Sequence, residues 1–162
     1  MSDEDIFDPE KIDNNQCFPF YPDSPIYAWN GLRFRSKSEI RIAQVLDDLS
    51  GIYIPNCIVR VYSTPMDCDT CTPQRMVNME VDFLIWDWGY WGILEVDGPH
   101  HTRKRRCKEQ ERERLFKHKG IMVYERFDAK RCYKDPHGVL EEFFKIMSKM
   151  YYPNFKLSSI KF

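Results

Sequence analysis

The chain contains no apolar run approaching the roughly 18–20 residues that a membrane-crossing helix needs, so no helical span is expected within it. Its first residues, MSDEDIFD, lack a hydrophobic stretch and are acidic. They fit neither a secretory signal nor an Arg-rich transit peptide. The expected setting is therefore the reducing cytoplasm, where Cys17, Cys57, Cys68, Cys71, Cys107 and Cys132 are free thiols. CDTC at 68–71 has zinc-knuckle spacing, and Cys57 could supply a third ligand. There is no second CxxC and no close His, which favours thiols over zinc. Internal repeats and low-complexity blocks are also missing.

A formal net charge of −1 conceals an asymmetry. Residues 1–30 carry seven acids and one base, a balance of −6, which leaves +5 on the rest. With Pro9, Pro19, Pro22 and Pro25, residues 1–25 read as an acidic tail or draped arm, one suited to a protein partner or to a homodimer contact. Residues 26–162 then form a single α/β domain. Its 11 Phe, 9 Tyr and 4 Trp are first of all core material.

The first element is a helix, capped by Ser36 or Ser38, with Glu39 at capping-box spacing from Ser36 and Gly51 as its stop. IYIPNCIVRVYS (52–63) is extended, and Pro55 marks an edge or a bend. MEVDFLIW (79–86) and WGILEVDG (91–98) are strands joined by the short turn DWGY. Residues 104–119 form a second helix ended by Gly120, IMVYERF (121–127) is a third core strand, and 137–150 form an amphipathic last helix. The expected fold is a central mixed β-sheet flanked by helices.

Acids stand where these strands should be apolar. Glu95 and Asp97 are two apart, so they share a face of their strand. Asp82 lies on the partner strand across the turn. Like charges gathered this way are costly unless a cation neutralises them, and hard oxygen ligands suit Mg²⁺ or Mn²⁺. The plainer reading, acids facing solvent on an edge strand, is disfavoured by the strongly apolar flanks. GPHH (98–101) follows at once and sets His100 and His101 beside the acids. Then come Arg103, Lys104, Arg105 and Arg106 at a helix start. Residues 103–119 carry nine bases and three acids, either a solvated helix face or a grip on phosphates. His118 and His137 read as surface residues, and Trp86, Trp88, Tyr90 and Trp91 as strand packing and turn capping rather than base stacking.

The run VDFLIWDWGYWGILEVDGPHH resembles the core of the PD-(D/E)XK nuclease superfamily, in which an Asp precedes a strand carrying Glu-x-Lys. Asp82 and Glu95 take the acidic positions, and Asp97 stands in place of the Lys. LEVDG followed by His resembles the branch related to very-short-patch-repair endonucleases. ERERLFKHKGIMVYERF resembles that branch's Arg-rich helix, Gly stop and strand ending in Arg, which puts Arg112 and Arg126 on matching positions. RFRSKSEIRIAQVL resembles the superfamily's first helix, whose acid is here Glu39. The likeness spans about residues 31–147 and rests on the order of its parts.

The resemblance implies a restriction-endonuclease-like core and metal-dependent phosphodiester hydrolysis, most naturally of DNA. Asp82 and Glu95, with the Val96 carbonyl, would hold Mg²⁺ or Mn²⁺. Asp97 and Glu39 would hold a second ion or position water. His101, or alternatively His100, would take over proton transfer from the missing Lys. Arg103, Lys104, Arg105, Arg106, Arg112 and Arg126 would contact DNA. The rival expectation, kept open by Asp97, is an inactive nuclease-fold module that binds DNA or protein.

Overall fold

The computed structural model describes residues 25–62, 76–98 and 103–153, and within the last segment the side chains from 109 onward. The elements are β1 (Tyr27–Trp29), β2 (Leu32–Phe34), α1 (Lys37–Asp48), β3 (Ile52–Tyr62), β4 (Met76–Asp87), β5 (Tyr90–Asp97), α2 (Arg103–His118), β6 (Val123–Asp128), α3 (Ala129–Lys134) and α4 (Pro136–Tyr151). They build a mixed α/β domain around a four-stranded sheet of order β3-β4-β5-β6. β3, β4 and β5 run antiparallel, and β6 lies parallel to β5. A parallel pair needs a crossover, and α2 supplies it. No described helix is long and apolar enough to cross a membrane. Most of the acidic segment 1–25, the CDTC pair and residues 99–102 lie outside the described residues.

Local chemistry explains where the elements begin and end. Ser36 caps α1 by accepting the Glu39 N–H, and Glu39 turns back to accept from Ser36 Oγ and from the Arg35 N–H. The helix is stopped by Ser50 rather than by Gly51. Ser50 takes the left-handed conformation, and the next N–H, that of Gly51, returns to the Leu46 carbonyl at 2.8 Å. Gly120 has the corresponding left-handed role after α2, as its place after the helix predicts. Trp88 and Gly89, both at positive φ, form the β4–β5 turn. Tyr152 holds this turn by donating its hydroxyl to the Asp87 and Trp88 carbonyls.

Two cores sandwich the sheet. On one face α1 and α4 pack Ile40, Leu46, Leu140 and Phe143 against Phe83, Ile85, Leu94 and Phe127. On the other, Phe116 of α2 meets Ile93, Tyr124, Val81 and Val61. Gly92 lets α4 approach: a Cβ there would sit 2.8 Å from both Phe143 Cζ and Met147 Sδ. Both side chains are fully buried, so neither can swing into solvent. Gly92→Ala is expected to cost about 1–3 kcal/mol by overpacking, read from the urea midpoint.

Alternation fails once, and the failure locates the site. Tyr53, Phe83 and Ile85 belong to the α1–α4 core, yet Cys57, Val59, Val61, Val77, Met79 and Val81, of the same parity, belong to the α2 core. The β3–β4 ladder is continuous except for one rung, Asn56 opposite Asp82, between Pro55–Phe83 and Cys57–Val81. The hairpin thus bends at Asn56 and Asp82, and its outer half switches faces.

Candidate active site

The bend gathers carboxylates from three elements. Asp82 comes from β4. Glu95 comes from β5, one step beyond the last β4–β5 pair, Phe83–Leu94. Glu39 comes from the first turn of α1. With the ladder ended there, the Val96 N–H has lost its strand partner and donates instead to Asp82 Oδ2 at 2.8 Å. Glu95 stands next to Asp82 across the two strands, at the register step after Phe83–Leu94. Its own Oε1 accepts from Arg112 Nη2 at 3.0 Å and from the Tyr124 hydroxyl at 3.1 Å. Around this pair, Arg126 bridges Glu109 at 2.5 Å, and Arg35 pairs with Glu80 at 2.6 Å.

Burial dominates the electrostatics. Glu39 and Glu95 are 4% and 9% exposed. Burial, and then the charge of Asp82, push the Glu95 carboxyl up to about 8, against the pull of Arg112 and Tyr124. The same two causes raise Glu39 to about 7, although Asn56, Arg35 and Ser36 all donate to it. Asp82 is also raised by burial, opposed by the Val96 N–H and by the Arg35 charge. For all three acids burial outweighs the positive charge and the donors beside them.

The donor set fits a divalent cation at Asp82 and Glu95. Both are hard oxygen donors, and a cation would offset the Asp82 charge that raises Glu95. Glu39 fits less directly, since Arg35 N and Asn56 Nδ2 occupy Oε2 and Ser36 Oγ occupies Oε1. Asp97 is half-buried at the end of β5, in register with Asp128. It does not close a cage with Asp82 and Glu95: among the described residues no three His, Cys, Asp or Glu side chains are grouped as a ready metal site.

The remaining expected site residues divide in two. Arg112 and Arg126 lie inside the acidic network as ion-pair partners, not as free surface charges. Arg103, Lys104, Arg105 and Arg106 begin α2, but their side chains, like His100 and His101, are outside the described set. Among other expectations, His118 and His137 are exposed, and Trp86 packs edge-on against Trp91 while Trp88 is 71% exposed.

Sequence reasoning missed Tyr124 and Asn56. Tyr124 sits in an apolar strand with its ring against Phe116 and its hydroxyl on Glu95. A polar-tipped aromatic just ahead of Glu125 and Arg126 was the available signal. Asn56 is fully buried and donates to Glu39 Oε2 at 3.0 Å and to the Arg33 carbonyl at 3.2 Å. Its signal was the Pro-Asn pair interrupting a β-branched run. The concavity lined by Val61, Tyr62, Phe116 and Ile121 includes none of these carboxylates. The chain matches no protein-family model, no curated protein and no solved structure.

Proposed function

We propose that the chain is a metal-dependent endonuclease that hydrolyses phosphodiester bonds in DNA, built on a restriction-endonuclease-like core. One observation carries the reading: half-buried Asp82 and buried Glu95 face each other where the β4–β5 ladder ends, and burial with the charge of Asp82 holds the Glu95 carboxyl up even with Arg112 paired to it. The element order α1-β3-β4-β5-α2-β6, with its one parallel pair at β5–β6, supports the core assignment. Cytoplasmic residence is part of the same proposal.

Asp82 and Glu95 would hold Mg²⁺ or Mn²⁺. Such an ion supplies the charge that acidifies water for attack on phosphorus and offsets the negative charge gathering on the phosphate oxygens. The protein contributes the orientation. The Val96 N–H fixes Asp82, while Tyr124 and Arg112 fix Glu95. Arg112 would bring its guanidinium charge close to a phosphate bound at these acids. Glu39 and Asp97 are the further acids for a second ion or for water, and His101 the proton carrier. Arg103 to Arg106 and Arg126 extend the phosphate contacts.

The test is nicking of supercoiled plasmid, with branched and single-stranded oligonucleotides in parallel, in Mg²⁺ and in Mn²⁺. Cutting of any of these that a chelator stops supports the reading. A wild type inert on all of them, yet binding DNA with salt-dependent affinity, would establish the inactive binding module instead. Calorimetry gives a second check. Mn²⁺ binding should vanish in Asp82→Ala, and unchanged binding there would remove Asp82 from the site.

A further inference from the structure

Four described residues other than glycine have positive φ. Asn30, Ser50 and Trp88 are in turns, whereas Asn56 is in the middle of a strand. Its φ of 48° removes the one missing rung of the β3–β4 ladder, the rung opposite Asp82. The residue before it is Pro55, which has no N–H to give the ladder. The backbone conformation alone would be served by glycine, which adopts it without strain. Glycine would also avoid a buried amide oxygen: Asn56 Oδ1 accepts no hydrogen bond from any described residue. What the side chain adds is therefore its donor end, closed on Glu39 Oε2 and on the Arg33 carbonyl.

Those two bonds span the site. Arg33 belongs to β2, Glu39 to the first turn of α1 and Asn56 to β3, so one amide ties three elements together at the bend. Arg35 N, in the β2–α1 link, and Asn56 Nδ2, on β3, hold the same Glu39 oxygen. We propose that Asn56 is a positioning residue: its amide clamps Glu39, and its left-handed backbone sets the bend that brings Asp82 to Glu95. Neither Asp82 nor Glu95 hydrogen-bonds Asn56, so its effect on them passes through the bend and through Glu39. The metal arm of the test rests on the nuclease reading above; the spectroscopic arm does not.

Two variants remove the amide clamp on Glu39 in different ways. Asn56→Gly keeps the left-handed backbone and deletes the amide. Asn56→Asp keeps the shape and replaces the donor by an acceptor facing Glu39. Mn²⁺ affinity is measured by calorimetry on the full chain. Side-chain carboxyl ¹³C shifts of Glu39, Asp82 and Glu95 are recorded without metal at one fixed pH. Both variants are expected to weaken Mn²⁺ binding by about 10–100-fold, as loss of a partner behind a metal ligand does. In both, the Asp82 and Glu95 resonances should move along with that of Glu39. If either folded variant binds Mn²⁺ as the wild type does, the proposal is overturned. It is equally overturned if only the Glu39 resonance moves, which is the pattern of a merely structural hydrogen bond. If the wild type binds no Mn²⁺, the nuclease reading fails by itself and the carboxyl shifts alone decide the role of Asn56. Should Asn56→Gly not fold, Asn56→Asp carries both measurements.

Discussion

Glu95→Gln is expected to slow metal-dependent nicking of plasmid by about 10³-fold or more, with fold and DNA affinity kept. Glutamine has nearly the same volume, and its Oε1 can still accept from Arg112 and from Tyr124, the two bonds that hold Glu95. Burial and Asp82 keep the wild-type acid protonated up to about 8, so without metal the neutral amide resembles what it replaces. The melting temperature near neutral pH should therefore hardly change. With metal the two differ, because the amide cannot supply the negative charge that a divalent ion requires. The measurement is the nicking rate of wild type and variant side by side, with DNA binding by fluorescence anisotropy at two salt concentrations. A variant that nicks within tenfold of wild type would show that Glu95 is no metal ligand.

The second large effect concerns pH. Glu39 and Glu95 are raised to about 7 and about 8, and Asp82 is raised too. Each binds its proton more tightly folded than unfolded. Their contribution to stability is therefore complete below the unfolded carboxylate range and is lost as pH climbs through the folded values. Without metal, the protein should be most stable on the acid side of neutrality and should lose stability steadily up to about pH 8. Mn²⁺ competes with these protons, so its stabilising effect should grow over the same interval.

Asp82→Asn should weaken the first trend and abolish the second. The amide can still accept the Val96 N–H, burial still raises Glu39 and Glu95, and the added push from the Asp82 charge is gone. At alkaline pH the metal-free variant should melt higher than wild type, by about 2–4 °C for each kcal/mol recovered. Added Mn²⁺ should then do nothing for it. Thermal melts across the pH range, with chelator and with Mn²⁺, read both effects. A metal-free variant less stable than wild type at every pH would refute this account of the site.

Strongly patterned elements were the legible ones. The Ser36–Glu39 box, the DWGY turn, the Gly120 stop and the apolar strands around Asp82 and Glu95 all follow from local spacing, and each is present. The β1–β2 hairpin was missed although Asn30-Gly31 is a strong turn pair, because its strands are three residues long and show almost no alternation. The helix α3 was missed because AKRCYK buries only Cys132 and so lacks a stripe. β4 starts at Met76, three residues before the expected strand, since its outer half packs on α2 rather than on the main core.

Within the site, alternation revealed Asp82 and Glu95 because both are acids on apolar strands. Partners distant in the chain were not visible that way. Arg112 reaches Glu95 across 17 residues and Tyr124 across 29, and no local period encodes either contact. Asn56 escaped for the opposite reason. A single left-handed residue destroys the very alternation used to read a strand, so the break looked like noise within a β-branched run.

The parallel β5–β6 pair imposes an order of assembly on a chain made from its N-terminus. Glu39, Asp82 and Glu95 are all synthesised before Arg112, Tyr124 and Arg126, the groups that hold or flank Glu95 once the sheet is complete. Until α2 has crossed over and β6 has docked, a nascent chain carries three acids with neither the guanidinium nor the hydroxyl meant for them. A ribosome-stalled chain ending near Gly98 should accordingly remain protease-sensitive, and protection should arise in one step once β6 has emerged.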